Sequence, residues 1–289
     1  MEVNIGKHFF SKEDKLSDSQ ILRFSDFKRP LIMGILNLTP DSFYDGGSHD
    51  NIDDALRHCD KMLSEGADII DIGAFSSRPG MEIISVDEEL SRLLPSLTAI
   101  KKRFHETTIS IDTFRKDVAM RAIENGADII NDISGGTFDS EMLSYIGENH
   151  IPYILMHSGE NLEKLHSEIV ENDVCEEVKT FFERQTETLS QYGETSVILD
   201  PGIGFNKSMK DNFKLLKNIN NYRIKDLPVL IGISRKSMIY KTLKTTPQEA
   251  LNGTTVLNTI ALLNGADILR VHDVKEAVEA VKLFLNFGF

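Results

Sequence analysis

The sequence predicts a single-domain α/β protein built as a TIM (β/α)8 barrel, and three observations point there. A short motif recurs at Gly66-Ala67-Asp68-Ile69-Ile70-Asp71, Gly126-Ala127-Asp128-Ile129-Ile130-Asn131 and Gly265-Ala266-Asp267-Ile268-Leu269-Arg270. In each copy the Gly suits a left-handed helix C-cap, and the apolar run after it, with little alternation, reads as a parallel strand buried on both faces. Each copy then ends in a different polar side chain, Asp71, Asn131 or Arg270, as a barrel requires of its strand C-termini. A doubly wound open sheet uses the same module, so the repeat alone leaves both architectures standing. Finally, 289 residues suit one complete barrel of about 250 residues plus short extensions.

Taken in order, Met1 to about Arg29 is a polar lead-in, read as a small hairpin closing the bottom of the barrel, and residues 30–289 form the barrel itself. Leu31 to Leu36 is a first buried strand ending at Asn37. The stretch Leu38-Thr39-Pro40-Asp41-Ser42-Phe43-Tyr44-Asp45-Gly46-Gly47 is too rich in turn formers for regular structure and makes a long loop at the strand outlet. Helical spacing over Ile52 to Glu65 leads into the second strand, whose outlet carries Ser76-Ser77-Arg78-Pro79-Gly80. A charged amphipathic helix from Val86 to about Phe104 precedes a third strand, Thr107 to Ile111, ending in Asp112. Taken alone, Asp112 also fits a helix N-cap.

A helix from about Arg115 to Asn125 leads into the central copy, and Pro152 to Met156 gives a fifth strand with His157 past its end. Leu165 to about Tyr192 is an acidic stretch with the apolar spacing of a long solvated helix. Ser196 to Leu199 then runs into Asp200-Pro201-Gly202-Ile203-Gly204-Phe205-Asn206-Lys207, which lacks the ending of an ATP-binding P-loop. Pro228 to Ile233 is the seventh strand and delivers Ser234-Arg235-Lys236-Ser237. The last copy leads to Arg270-Val271-His272-Asp273, and a helix over Val274 to Phe284 closes the chain.

Composition narrows the function. With 40% hydrophobic and 27% charged residues the chain can bury a sizeable core. A net charge of -13 without a basic run argues against nucleic acid as a partner, while a small anion can still be held by a few focused cations. The two cysteines, Cys59 and Cys175, read as free thiols in helices. No signal-peptide core or membrane-length apolar run is present, so a soluble cytoplasmic protein is expected. Zinc spacing, a nucleophile elbow and a dinucleotide-binding turn are all lacking.

In a barrel the strand outlets converge on one mouth. Asp112, Asn131 and Asp200 suit a flat heterocycle with adjacent N–H donors, since a carboxylate accepts two such bonds. Arg78, Arg270 and His272 flank them as groups for phosphate.

Taken together, Asn37-Leu38-Thr39-Pro40-Asp41-Ser42-Phe43, Asp71-Ile72-Gly73 with Ser77-Arg78-Pro79-Gly80, Ser110-Ile111-Asp112-Thr113, Ile130-Asn131-Asp132, Asp200 to Phe205, Ser234-Arg235-Lys236-Ser237 and Arg270-Val271-His272-Asp273 resemble the ordered signature set of the dihydropteroate synthases, from about Pro30 to the C-terminus. That resemblance implies a TIM barrel that condenses 6-hydroxymethyl-7,8-dihydropterin diphosphate with 4-aminobenzoate. By matching position it implies pterin binding by Asp112, Asn131, Met156, Asp200 and Lys236, and diphosphate binding by Asn37, Ser77, Arg270 and His272. Asn37 would also hold Mg²⁺. Phe43, Ser77, Arg78, Pro79, Phe205 and Ser237 would form the aminobenzoate site, and Asp112, Lys236, Arg270 and Asn37 would act in the chemistry. A homodimer is expected, because barrels of this kind often pair through helices on the side away from the site.

The chain departs from the family pattern at Ala74-Phe75-Ser76-Ser77, where Gly-Glu-Ser-Thr is common, at Ser158-Gly159-Glu160, and at Asn206 in place of Gly. These changes bear on the rim and leave every pterin-contacting position in place. A methyltetrahydrofolate-dependent methyltransferase and a pterin-binding paralogue without turnover are the alternatives; Arg78, Lys236 and Arg270, whose loss would mark the latter, are all present.

Overall fold

The structure is a computed structural model and describes residues 27–38, 48–75 (backbone alone at 48–51), 84–159 and 173–288. Its elements alternate as β1 (Leu31–Asn37), α1 (Ser48–Glu65), β2 (Ile69–Gly73), α2 (Val86–Arg103), β3 (Thr108–Asp112), α3 (Lys116–Glu124), β4 (Ile129–Asp132), α4 (Met142–Glu148) and β5 (Tyr153–Met156). There follow α5 (Val174–Ser190), β6 (Val197–Asp200), α6 (Met209–Lys217), α7 (Ile219–Tyr222), β7 (Leu230–Ile231), α8 (Ser237–Leu243), α9 (Leu251–Leu263), β8 (Ile268–Val271) and α10 (Val274–Phe287). The strands are ordered β6-β5-β4-β3-β2-β1-β8-β7, and every pair is parallel. A parallel bridge between Leu199 and Val229 joins β6 to the segment entering β7, so the sheet closes on itself and the open-sheet alternative falls.

The repeated motif does at the bottom of the barrel what its sequence implies, and something more. Gly66, Gly126 and Gly265 take φ of 106°, 95° and 100°, a left-handed turn that other residues adopt only under strain. The Asp two residues later staples neighbouring strands. Asp68 accepts from the Ile32 N–H (2.8 Å), Asp128 from the Ile109 N–H (2.8 Å) and Asp267 from the Val229 N–H (2.7 Å). Each carboxylate is also paired with a cation, Arg29, Lys101 or Arg223 respectively. Three equivalent Asp residues thus pin three inter-strand registers, a role the apolar pattern does not announce.

Period-two alternation sets the barrel interior. Leu31, Met33, Ile69, Ile129, Ile154, Ile198, Leu230 and Ile268 form one buried cluster, with Phe27 packed against it from below. The even strands contribute Ile69, Ile129, Ile198 and Ile268, one side chain each, as alternate-strand layering demands. The outward strand faces and the helices make the larger cluster, which includes Cys59 and Cys175. Both thiols are free, and burial pushes Cys59 up to about 12.

Some boundaries differ from expectation. β7 spans Leu230–Ile231 rather than Pro228 to Ile233, since its ladder with β8 covers those two residues and only Val229, just before it, bridges to β6. α5 is capped at Asp173, whose carboxylate accepts from the Cys175 N–H (2.9 Å), and runs from Val174; the earlier part of the expected helix, Leu165 to Asn172, lies outside the described residues. α10 runs on to Phe287. The unassigned stretches hold α4, α6, α7 and α8, short helices whose apolar period is brief, while α9 is the helix that the third motif copy implies before Gly265. The expected N-terminal hairpin lies outside the described residues, apart from Phe27 and Arg29 at its end. No helix among the described residues is long and apolar enough to cross a membrane.

Candidate active site

Two residues above the all-isoleucine layer, the same even strands place Asp71, Asn131, Asp200 and Arg270. The last residues of the three motif copies therefore share one layer, and they meet on a single oxygen. Asp71 Oδ2 accepts from Arg270 Nε (2.7 Å) and from Asn131 Nδ2 (3.1 Å). Arg270 Nη2 lies 2.6 Å from the same oxygen and also donates to Asp112 Oδ2 at 2.8 Å. Burial works against the Arg270 charge, yet the Asp71 and Asp112 carboxylates hold its pKa above the ordinary arginine value.

The odd strands supply the next layer at the mouth, with Asn37, Asp112, Met156 and Gly232. A side chain at Gly73, between β1 and β3, would lie 3.7 Å from Asn37 Oδ1 and 3.8 Å from Asp112 Oδ2, so both oxygens border the space that Gly73 leaves open. Asp112 is not a helix cap: the N-terminal boundary of α3 is at Arg115, and Asp112 is bound to Arg270 instead. Burial pushes the Asp112 carboxyl up to about 7, opposed by Arg270 and assisted by Asp71, Glu89 and Asp132.

Lys236 sits at the N-terminal boundary of α8 without capping it. Its ammonium donates to the Ile203 carbonyl and lies 4.5 Å over the Phe205 ring. Burial lowers its pKa to about 8, with Asp200 and Asp112 pulling the other way. Asp200 accepts from the Gly202 N–H (2.8 Å); its burial raises its pKa against the nearby Lys236. Met156 and Phe205 belong to one apolar cluster with Phe75, Phe114, Ile133 and Phe138, in which Phe114 meets Phe75 and Phe138 edge-on at 5.7 and 5.6 Å. Carboxylates and an amide on the floor, a cation at the rim and an apolar wall are what a flat, polar-edged ring requires.

Further from the centre, His272 bonds to Ser234 through both its backbone N–H (3.2 Å) and its ring Nδ1 (3.0 Å), and Arg235 forks onto Asp273. Ser237 is the first residue of α8, directly after Lys236. Phe43, Ser77, Arg78 and Pro79 lie outside the described residues. The expected residues that are described thus come from seven different strand ends and surround one mouth.

Four supports behind this surface are given no role in the sequence reading. Asp71 appears there as the end of a motif copy and within the signature set, yet it organises the floor. Lys207 is buried and donates to the His157 (3.2 Å), Gly202 (3.2 Å) and Phe205 (3.0 Å) carbonyls, which ties the ends of β5 and β6 together; burial lowers its pKa to about 7. Glu89 reaches from α2 to accept from Thr113 Oγ1 (2.9 Å) and Arg115 (2.6 Å), fixing the turn after Asp112. Asp132 accepts from Ser134 twice (2.7 Å each), from the Gly136 N–H (2.9 Å) and from the Tyr153 hydroxyl (2.6 Å). Each support joins residues distant in sequence, so only their charge in an apolar surrounding could have flagged them.

Comparison with known proteins places the whole barrel in a family. A family model described as "Pterin binding enzyme" matches residues 33–272. The dihydropteroate synthase of Escherichia coli strain K12 is 42% identical over 260 residues, covering 89% of this chain and 92% of that protein. The crystal structure of a dihydropteroate synthase from Clostridium difficile in the presence of pteroic acid superposes with a TM-score of 0.84 at 38% identity, covering 90% of this chain and 97% of that one. That of the Yersinia pestis enzyme with a sulfonamide drug gives 0.83 at 39% identity, over 92% and 96%. The chain belongs to the pterin-binding enzyme family and, within it, to the dihydropteroate synthases.

Proposed function

We propose that the substrates are 6-hydroxymethyl-7,8-dihydropterin diphosphate and 4-aminobenzoate, joined to 7,8-dihydropteroate with release of diphosphate. The observation that carries this reading is the convergence of Asp112, Asn131, Asp200, Lys236 and Arg270 at one barrel mouth, where acceptors for ring N–H groups lie beside cations for a leaving anion. The Clostridium difficile relative was solved with pteroic acid, which joins a pterin to an aminobenzoate.

In this scheme Asp112, Asn131 and Asp200 accept from the pterin edge, Lys236 donates to its carbonyl, and Met156 packs against its face. Asn37, Ser77, Arg270 and His272 receive the diphosphate. The methylene C–O bond breaks with its electron pair leaving on the diphosphate, where Arg270 offsets the growing charge. The resulting methylene cation is delocalised into the ring and stabilised electrostatically by the Asp112 carboxylate. The aminobenzoate nitrogen then forms the C–N bond and sheds a proton to solvent. By the resemblance, Phe43, Ser77, Arg78, Pro79, Phe205 and Ser237 would hold this second substrate, and a sulfonamide, which imitates it, would compete with it.

Mg²⁺ fits the residues present in one way. The described residues contain no group of three metal-ligating His, Cys, Asp or Glu side chains, but Asn37 Oδ1 at the mouth is a hard oxygen donor. Such a cation is typically held by one or two protein oxygens plus substrate phosphates, so Asn37 would hold it together with the diphosphate. When bound it supplies charge neutralisation at the leaving group.

The chain also pairs as a homodimer through α9 and α10. Val256, Ile260 and Leu263 on α9 and Leu283 and Phe287 on α10 are large apolar side chains left exposed on two helices that pack against each other.

The test is a diphosphate-release assay with both substrates, run with Mg²⁺ and again with a chelator. Release is expected only with both substrates present, and much more slowly without metal. Equal release in the absence of aminobenzoate would mean hydrolysis rather than condensation and would end the proposal.

A further inference from the structure

The geometry points to Asp71 as a positioning residue for substrate recognition: its carboxylate fixes the reach of Arg270 and the orientation of the Asn131 amide, so both present the correct atoms to the pterin diphosphate. This inference rests on the substrate reading above and assigns to that site a member that does not touch substrate. Asp71 is fully buried in the even-strand layer, beneath the mouth, directly over the isoleucine floor.

Consider Arg270 first. Nε and Nη2 both converge on Asp71 Oδ2, at 2.7 and 2.6 Å, which leaves the guanidinium one orientation about its long side chain. With Nη2 reaching on to Asp112 (2.8 Å), Nη1 makes no hydrogen bond among the described residues and is left for a phosphate oxygen. An arginine so held loses little rotamer freedom on binding an anion, whereas an unheld one has that entropy still to lose.

Asn131 is constrained by complementary logic. A carboxylate oxygen can only accept, so the atom of the amide facing Asp71 Oδ2 at 3.1 Å is the NH2. The amide oxygen is thereby committed to the other side, as an acceptor for a ring N–H. Rotating the amide would place oxygen against oxygen inside the barrel. Asp71 therefore decides that this position reads a donor on the ligand.

A third detail marks Asp71 as more than an ion-pair partner. Its Oδ1 is buried with no hydrogen-bond partner among the described residues, as is the hydroxyl of Ser110, its register neighbour on β3. A side chain kept for stability alone would be expected to use both oxygens, since a buried unsatisfied acceptor costs about 1–3 kcal/mol. Here one oxygen takes both hydrogen bonds, from Arg270 Nε and Asn131 Nδ2, with Arg270 Nη2 in ion-pair contact, and holds two substrate-facing groups in a fixed relation.

The test compares Asp71→Asn, which preserves shape and removes charge, with Ser110→Ala as a control at its register neighbour on β3. Calorimetric affinity for pterin diphosphate and the KM for each substrate are measured, with folding followed by thermal unfolding. Asp71→Asn is expected to weaken pterin diphosphate binding by about tenfold or more, with the KM for 4-aminobenzoate unchanged. Ser110→Ala should leave both alone. In a double-mutant cycle with Arg270→Gln, the two substitutions should be strongly non-additive.

If Asp71→Asn fails to fold, the side-chain Nε–H of Arg270 in the unsubstituted enzyme answers the same question by NMR. It should be protected from solvent exchange and stay protected when inorganic diphosphate is added. Undiminished affinity in Asp71→Asn, additivity in the cycle, or rapid exchange at Arg270 Nε–H would each overturn the inference. Failure of the unsubstituted enzyme to bind pterin diphosphate would instead sink the substrate reading.

Discussion

Replacing Tyr153 by Phe removes one oxygen from the centre of the barrel wall and tests whether the buried Asp132 is held as a carboxylate. The Tyr153 hydroxyl donates to Asp132 Oδ2 at 2.6 Å, and both residues are fully buried. Without it, Oδ2 retains only the Gly136 N–H at 2.9 Å, while Oδ1 keeps both Ser134 donors. Loss of a hydrogen bond to a buried charged group costs about 1.5–3 kcal/mol. For a chain of this size a loss of ~2 kcal/mol corresponds to a fall in Tm of up to roughly 8 °C.

The pH dependence sharpens the test. Burial pushes the Asp132 pKa above its ordinary value, and the hydrogen bond from Tyr153 does most to hold that rise down. A raised folded-state pKa contributes stability that is present below the ordinary carboxylate pKa and lost as pH rises through the folded value. In Tyr153→Phe the folded value rises further, so the variant loses more than the parent on the alkaline side. On the acid side both proteins hold a neutral carboxyl, and the difference shrinks to that of a neutral bond, about 1 kcal/mol. Urea unfolding at several pH values measures the gap directly. A deficit that is independent of pH, or below about 0.5 kcal/mol throughout, would refute the claim that Tyr153 stabilises an ionised Asp132.

The site makes further predictions. The profile of kcat/KM against pH should be bell-shaped, rising as Asp112 ionises near its value of about 7 and falling as Lys236 loses its proton near about 8; Asp112→Asn should flatten the acid limb of pterin diphosphate binding. Asp200→Asn turns one acceptor of a paired contact into a donor and should weaken pterin diphosphate binding by about tenfold or more in calorimetry, with equal affinity counting against the assignment. Gly202→Ala should cost about 3 kcal/mol or more in chemical unfolding, because the added carbon would sit 1.8 Å from the His157 carbonyl oxygen at a residue with φ of 67°. For the homodimer proposed above, Leu283→Glu should shift sedimentation to monomer while leaving thermal stability at low concentration little changed, since that side chain is 74% exposed in the single chain, and unchanged sedimentation would count against the dimer.

How far the sequence discloses this architecture depends on the range of the forces involved. Strand cores such as Ile69-Ile70 and Ile129-Ile130 are legible because burial on both faces demands apolar residues in succession, and the motif glycines because only a left-handed turn ends those helices so abruptly. β7 is poorly legible for the converse reason. Its sequence, Pro228 to Ile233, is as apolar as the others, but ladder formation depends on how the last gap in the ring is filled, and only Val229 bridges to β6. The start of α5 turned on a cap at Asp173, within a run of acidic residues that were all equally plausible as helix surface.

For the site, local pattern reaches the residues but not their partnerships. Asp112, Asn131, Asp200 and Arg270 stand out as polar residues ending apolar runs, and Asp71 stands out by the same rule. What distinguishes them is parity: β2, β4, β6 and β8 face their interior side chains into the same layer, so the equivalent positions of repeated units become neighbours once the ring closes. Arg270 and Asp71 are 199 residues apart, and no periodicity within either strand indicates that one will neutralise the other. Counting two residues beyond each interior isoleucine would have predicted the layer from sequence, given closure. Repetition therefore carries more information in a barrel than in an open sheet, where equivalent strand ends lie in a row and cannot all meet.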